Sequence, residues 1–227
     1  VENLSDGMYD VLVKSLPIAD IVQVREIDIA PAGIELASAE LSLSSMIGRE
    51  RALQRALDPV RSQYDYIILD TPPSLGLLTI NAMVAAQGVI VPVQCEYLSL
   101  RGLAQLTHTL EQVREHLNPE VHIFGILPTM YDGRTMHCRE AVDVLMDNFG
   151  DTVFRTRVGK TVRFAEAPVQ GRSILSYDPS GQAARWYRQL AREVLERDGK
   201  WTDELERMRR PVREVRPQSG PGLRLAS

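Results

Sequence analysis

Short apolar runs, two of them stopped at prolines, alternate along this chain with longer stretches of helical periodicity, and that alternation constrains the fold more than any other feature. Residues 64–70, YDYIILD, carry an unbroken, β-branched apolar core, the pattern of a strand buried on both faces as in parallel sheets. Thr71-Pro72-Pro73 stops the run, because proline cannot donate to a ladder. Residues 88–93 and 121–127 read as further strands, the second ended by Pro128, and residues 153–158 as a short fourth. Helical spacing of apolar residues spans 49–63, 75–86, 100–117, 136–149 and 182–197. The clearest stripe is Leu100, Leu103, Leu106, Leu110, Val113 and Leu117. Strands separated by single helices imply βαβ units and a mostly parallel sheet. Such sheets bind ligands at the carboxyl ends of their strands, where Asp70, Gln94 and Thr129 fall.

The flanks are less regular. Residues 27–29 suggest a strand and 33–43 a helix. From Gly199 the pattern fades into prolines and glycines, which predicts a disordered end. The organisation expected is a domain over 1–198 and a basic tail over 199–227. A chain of 227 residues, 44% hydrophobic and 25% charged, excludes a fibrous or disordered protein. No run of eighteen apolar residues exists to span a bilayer, and no basic, apolar and small-residue leader opens the sequence. Cys95 and Cys138 stand far apart without a CxxC pair, which argues against a zinc site or disulfide framework and for a reducing cytoplasm. The net charge of −4 is uneven, since residues 207–227 hold six arginines against one acid. An acidic body excludes a broad nucleic-acid groove but leaves room for a local basic patch.

A strand that ends in an acid is how P-loop ATPases present a carboxylate to magnesium or its waters, and one hard oxygen ligand suffices for an ion that stays largely hydrated. The same ending serves ordinary turn chemistry, so Asp70 by itself leaves both readings open. The wider sequence adds more. YDYIILDTPPSLGLLTINA (64–82), VPVQCEYLSLRGLAQL (91–106), TMYDGRT (129–135), VRFAEAP (162–168) and YDPSGQAARWYRQLAREV (177–194) occur in one order. Together with the earlier MYDVLV and IDIAPAGIELASAELSL, they resemble the ParA/Soj-type partition ATPases, across about residues 7–197. The resemblance implies an α/β fold with a mainly parallel, twisted sheet flanked by helices. It implies an ATP- and Mg²⁺-dependent homodimer in the cytoplasm, associated with the nucleoid. Such proteins bind DNA nonspecifically and are released when a ParB-like protein stimulates hydrolysis. By this resemblance Asp70 is the Walker B acid, holding magnesium through water. Thr71 and Pro72 shape the turn beneath the γ-phosphate. Met130 approaches the base or packs in the core, and both remain open. Arg134 and Arg163 match DNA-contacting arginines, which would neutralise phosphates without reading sequence. Glu166-Ala167-Pro168 is a family marker without a catalytic role.

The departure from the family is as informative. A phosphate-binding GxxxxGK[ST] does not occur, and Gly159-Lys160-Thr161 lacks the earlier glycine, Phe154 standing in its place. This string reads as coincidence. The family's extra P-loop lysine and the aspartate of its second strand also lack counterparts. The sequence therefore reads as an N-terminally truncated member that lacks the P-loop strand, with neighbouring strands unpaired, low stability and no ATP binding of its own. Whether it acts as an enzyme stays open at this point. Two alternatives stand beside the partition switch. One is a MinD-like membrane-cycling ATPase, for which Trp201, Leu205 and Met208 give a thin stripe interrupted by Pro211. The other is a non-catalytic DNA- or partner-binding relative. His137-Cys138 is two adjacent residues without further ligands, and helix packing explains it better than metal.

Overall fold

The structure, a computed structural model, describes residues 6–95 and 100–200. The tail beyond residue 200, including Trp201, Leu205 and Met208, lies outside the described residues. The fold is mixed α/β, built on a short parallel sheet flanked by helices. In chain order the helices are α1 (Met8–Lys14), α2 (Ala39–Ser44), α3 (Ala52–Leu57), α4 (Leu77–Ala85), α5 (Leu100–His116), α6 (Met136–Phe149), α7 (Arg163–Val169), α8 (Ile174–Tyr177) and α9 (Gln182–Arg197). The strands are β1 (Gln23–Val24), β2 (Asp28–Ile29), β3 (Gly88–Gln94) and β4 (His122–Thr129). β1 and β2 form a small antiparallel hairpin.

β3 and β4 pair in parallel from Gly88↔His122 to Gln94↔Thr129, with one irregularity where Phe124 is skipped between the Val89 and Ile90 pairings. α5 connects them, and its Leu103, Leu110 and Val113 are buried, as its apolar stripe requires. Asn118 fixes the start of this unit. Its amide donates to the carbonyls of Met83, Val84 and Ala86, satisfying acceptors that the end of α4 would leave orphaned. β4 runs past Pro128 to Thr129, so this proline does not end the strand; its carbonyl accepts the Val158 N–H at 2.9 Å.

The other edge of β4 meets residues 153–159 through two isolated parallel bridges, Ile126↔Val153 and Tyr131↔Gly159. The continuous strand expected over 153–158 is interrupted, and the reason is a single side chain. Glu193, on α9 and only 4% exposed, accepts the backbone N–H groups of Arg155 (2.8 Å) and Thr156 (2.9 Å). Phe154 donates to Ile126 in β4 at 2.8 Å, so the Arg155 N–H faces the other way in any regular strand, and the Thr156 N–H is the donor that Glu193 diverts from β4. Arg197, one turn further along α9, closes the same gap, donating to Glu193 at 3.1 Å and to the Val153 carbonyl at 2.9 Å. Its guanidinium also lies 4.1 Å from the centroid of the Phe154 ring.

The helix expected over 49–63 is broken into a 3₁₀ turn, α3 and a second 3₁₀ turn. Asp58 keeps helical dihedrals, but Pro59 has no N–H to continue the ladder, and the α-helix ends there. Buried Asn81 on α4 also ties this segment down, accepting the Leu53 N–H at 3.1 Å and donating to the Arg49 carbonyl at 2.8 Å. The helix expected over 33–43 starts as a 3₁₀ turn at Ile34–Ser38, with the Ser38 hydroxyl on the Glu35 carbonyl, and becomes α-helical only at Ala39. Around α1 to α4 lies a core of Val11, Leu12, Leu43, Leu53 and Leu57, and under β4 a second holds Leu103, Ile126, Leu145 and Val153.

Burial works against the Glu193 charge, but the N–H groups of Arg155 and Thr156 and the Arg197 guanidinium outweigh it and hold the carboxyl below its ordinary 4.5. The stabilisation is therefore complete above 4.5 and is lost as pH falls through the lowered value. Glu193→Ala leaves buried donors unpaired and should cost about 3 kcal/mol at neutral pH, measured by urea unfolding. Glu193→Gln should remove part of the acid dependence of the midpoint; an unchanged dependence would refute the assignment.

Candidate functional site

Asp70, Thr71 and Pro72 lie at the end of an extended segment that joins no ladder among the described residues. The doubly buried strand expected at 64–70 is thus corrected. Tyr66 and Ile67 are exposed and Ile68 is 88% exposed; Leu69, with Tyr64 at the start of the segment, packs against the core around α1 to α4. A strand is buried on both faces only when neighbours pair with both of its edges, and none of the described residues does so here. Two tyrosine hydroxyls tether the segment instead. Tyr64 donates to Asp28 at 3.1 Å and Tyr66 to Asp198 at 2.6 Å. The Lys200 ammonium sits 4.3 Å from the Tyr66 ring centroid.

Beyond Pro73 the chain enters α4. The buried Thr79 hydroxyl donates to the Ser74 carbonyl at 2.6 Å, folding the loop back onto the helix. The N-terminus of α4 is taken by an internal anion. Glu40 accepts the Leu78 N–H at 3.2 Å, and its carboxylate lies where a Cβ at Gly76 would fall. Asp70 is exposed and forms no hydrogen bond or ion pair among the described residues, and no group of three or more metal-ligating side chains occurs among them.

At the carboxyl ends of the strands, the Cys95 N–H donates to the Thr129 carbonyl at 3.0 Å. Met130, the next residue, takes a left-handed φ of 52°. At a non-glycine position this costs energy and marks where β4 turns into its loop. Met130 is 38% exposed, which excludes the fully packed alternative for it. Tyr131 anchors the loop. Its N–H donates to the Val158 carbonyl at 3.0 Å, and the Arg157 guanidinium lies 4.8 Å from its ring centroid while donating to its hydroxyl at 2.8 Å. Arg157 had no signal in the sequence, since its partner is twenty-six positions away and only the bridge to Gly159 joins them.

The same bridge starts the loops of Arg134 and Arg163 from one end of the sheet. Both arginines are on the surface, and both are engaged. Asp132 grips Arg134 with two oxygens, at 2.9 Å to Nε and 2.7 Å to Nη2. That guanidinium and the Arg134 backbone N–H hold the Asp132 carboxyl down to about 2. Arg163, at the start of α7, donates to Glu166 at 2.9 Å, and the Tyr177 hydroxyl donates to the same carboxylate oxygen at 3.1 Å. Between the two loops, the Gly159-Lys160-Thr161 string is explained by packing: a Cβ at Gly159 would overlap the Trp186 indole. Cys138 and Cys95 are buried together in a small cluster with Ala141, Val142 and Tyr131, and both are free.

The parallel β3–α5–β4 unit flanked by helices is an α/β arrangement, and comparison with known proteins places it among P-loop nucleotide-binding folds. A family model described as an AAA domain matches residues 1–123. The chain is 46% identical over 190 residues to the sporulation initiation inhibitor protein Soj of Bacillus subtilis, covering 82% of this chain and 75% of Soj. It is 40% identical over 200 residues to the chromosome partitioning protein ParA of Myxococcus xanthus, covering 87% and 71%. An uncharacterised protein of Mycobacterium tuberculosis is 45% identical over 200 residues, 86% of this chain, and the match spans 63% of that relative's length. Among solved structures, cobyrinic acid a,c-diamide synthase of Mycobacterium smegmatis with bound ADP and magnesium superimposes with a TM-score of 0.67 at 35% identity, covering 74% of this chain and 73% of that one. The chain belongs to the ParA/Soj family of partitioning ATPases. No helix among the described residues is long and apolar enough to cross a membrane.

The exposure of the Asp70 segment has a direct test. Ile68→Ser in this chain should change stability by less than about 0.5 kcal/mol, as surface substitutions do. A loss of 2 kcal/mol or more, the order expected for emptying a core position, would contradict the exposed placement. Urea unfolding of the pair of proteins measures it.

Proposed function

We propose that the chain serves in a ParA-type partitioning switch, an ATP-dependent, nonspecific DNA binder that moves a plasmid or chromosome and answers to a ParB-like partner. The observation that carries this reading is identity of 46% and 40% to Soj and ParA over 82% and 87% of the chain. In this reading the protein works as a homodimer, in the cytoplasm and on the nucleoid. Asp70 is the Walker B acid. An exposed carboxylate without a partner among the described residues suits a magnesium ion that keeps most of its waters. Thr71 and Pro72 form the turn beside it, and Met130 offers an exposed apolar side chain at the end of β4 for a base.

The fit of these residues to ATP is one-sided. A triphosphate needs a run of backbone N–H groups, and GxxxxGK[ST] is absent from the 227 residues. The nearest helix start, that of α4, already holds the Glu40 carboxylate. Residues that could bind magnesium are present, and a phosphate cradle is not, so no hydrolytic step is derived from this chain. Isothermal titration of the 227-residue protein with Mg-ATP should show no binding in the micromolar range. Micromolar binding would overturn this division of the site.

Arg134 and Arg163 are assigned to DNA phosphates. Each such contact contributes a log–log salt slope of about −0.9, so retention of duplex should fall steeply with salt. Arg134→Glu and Arg163→Glu should each weaken a gel shift with random-sequence duplex and flatten its salt dependence. Unchanged affinity in both variants would remove the arginines from the interface.

A further inference from the structure

We propose that Asp132 and Glu166 are built-in phosphate stand-ins that latch Arg134 and Arg163, so that nucleic-acid phosphate must displace a carboxylate to be bound. The inference rests on the reading of these two arginines as DNA contacts. It adds what regulates them.

The two latches are built differently and reach the same result. At Asp132 the grip is a planar fork: one oxygen accepts Arg134 Nε at 2.9 Å and the Arg134 backbone N–H at 3.0 Å, and the other accepts Nη2 at 2.7 Å. A guanidinium presents this same two-pronged face to a carboxylate or to a phosphate. The fork is therefore the bound geometry of the proposed ligand, filled by the protein's own anion. At Glu166 the pairing runs along one turn of α7, three residues from Arg163, and the Tyr177 hydroxyl holds the carboxylate in place at 3.1 Å.

Stability alone gives these pairs little reason to exist. The Arg134 side chain is 89% exposed, and ion pairs in open solvent contribute little to folding. Their effect is on charge. Each arginine is paired with a neighbouring carboxylate, which offsets the charge that its guanidinium would offer a phosphate. Phosphate can still enter, because both guanidinium groups are exposed and the exchange replaces one anion by another. The displaced carboxylate stays within a few residues of the bound phosphate and repels it. Binding is then weaker than two open arginines would give, and the grip is readily released.

The test compares Asp132→Asn, Glu166→Gln and the double variant with the unaltered chain, without nucleotide, in gel shifts against a short random-sequence duplex over a range of salt, which reads the direct contact of arginine with phosphate alone. Each single variant should tighten binding several-fold at low salt, where the arginine it frees meets phosphate without a competing carboxylate. The double variant should gain both, and adding Arg134→Ala to Asp132→Asn should abolish the gain. Unchanged or weaker binding in a single variant overturns its latch, and a double variant that still fails to retain duplex at low salt overturns the proposal whole. Arg134→Ala and Arg163→Ala, measured in parallel, separate the two readings. If they weaken binding while the carboxylate variants do nothing, the latch falls and the DNA contact stands. If none of the variants changes a measurable affinity, the DNA contact falls with it.

Discussion

β4 is the one strand among those described that is held on both edges, and the functional end of the molecule depends on it. β3 pairs along its length on one side, and the bridges at Val153 and Gly159 flank it on the other. Ile126 at its centre is fully buried, and a Cβ at Gly125 would overlap the Phe154 ring. Such close packing leaves no slack at the carboxyl end. Met130, Tyr131 and the Arg134 loop leave from there at a fixed point, and the bridge from Tyr131 carries the Arg163 loop to the same place.

The second edge of β4 owes its shape to charge as much as to backbone. Glu193 and Arg197 sit one turn apart on α9 and reach into the ladder itself, one taking two N–H groups and the other giving to three carbonyls. A sheet edge that side chains satisfy in this way does not present a row of free donors to another chain. It also ties α9 to the strand whose loops hold the arginines. Tyr66 then links the Asp70 segment to Asp198, immediately after that helix. The acid-bearing segment and the loop end of β4 are thus joined through one amphipathic helix, by hydrogen bonds that no local pattern records.

The elements legible in the sequence are those whose burial is decided by their own periodicity. α6 and α9 fall at 136–149 and 182–197 as their apolar stripes require, and α5 ends one residue early. β3 and β4 were legible because each finds a partner. Residues 64–70 carry the same signature as β3, yet apolar content marks only the capacity for burial; the ladder must come from another segment, and here none of those described supplies it. Residues 153–158 fail for the opposite reason, since a partner is present and Glu193 competes with it for the Thr156 N–H. At the candidate site, Asp70 and the two arginines are singled out by the family motifs alone. Asp132 stands in one of those motifs, TMYDGRT, but its grip on Arg134 depends on the turn that brings residue 132 back over 134. The hold of Arg157 on Tyr131 depends on the bridge to Gly159.

The arrangement also says why Gly159-Lys160-Thr161 could not be a phosphate loop even if an earlier glycine stood at position 154. A phosphate loop needs successive N–H groups facing open space at the start of a long helix. Here Gly159 is pressed against Trp186 and paired to Tyr131, so its backbone belongs to the sheet edge. The helix that follows has seven residues, and its first turn is committed to the pairing of Arg163 with Glu166. A Phe at position 154 is what this packing demands, because its ring fills the space over Gly125 and receives the Arg197 guanidinium. The same contacts that leave no phosphate loop at this corner hold the arginine loops in place, since Gly159 is bridged to Tyr131 and Arg163 is paired with Glu166.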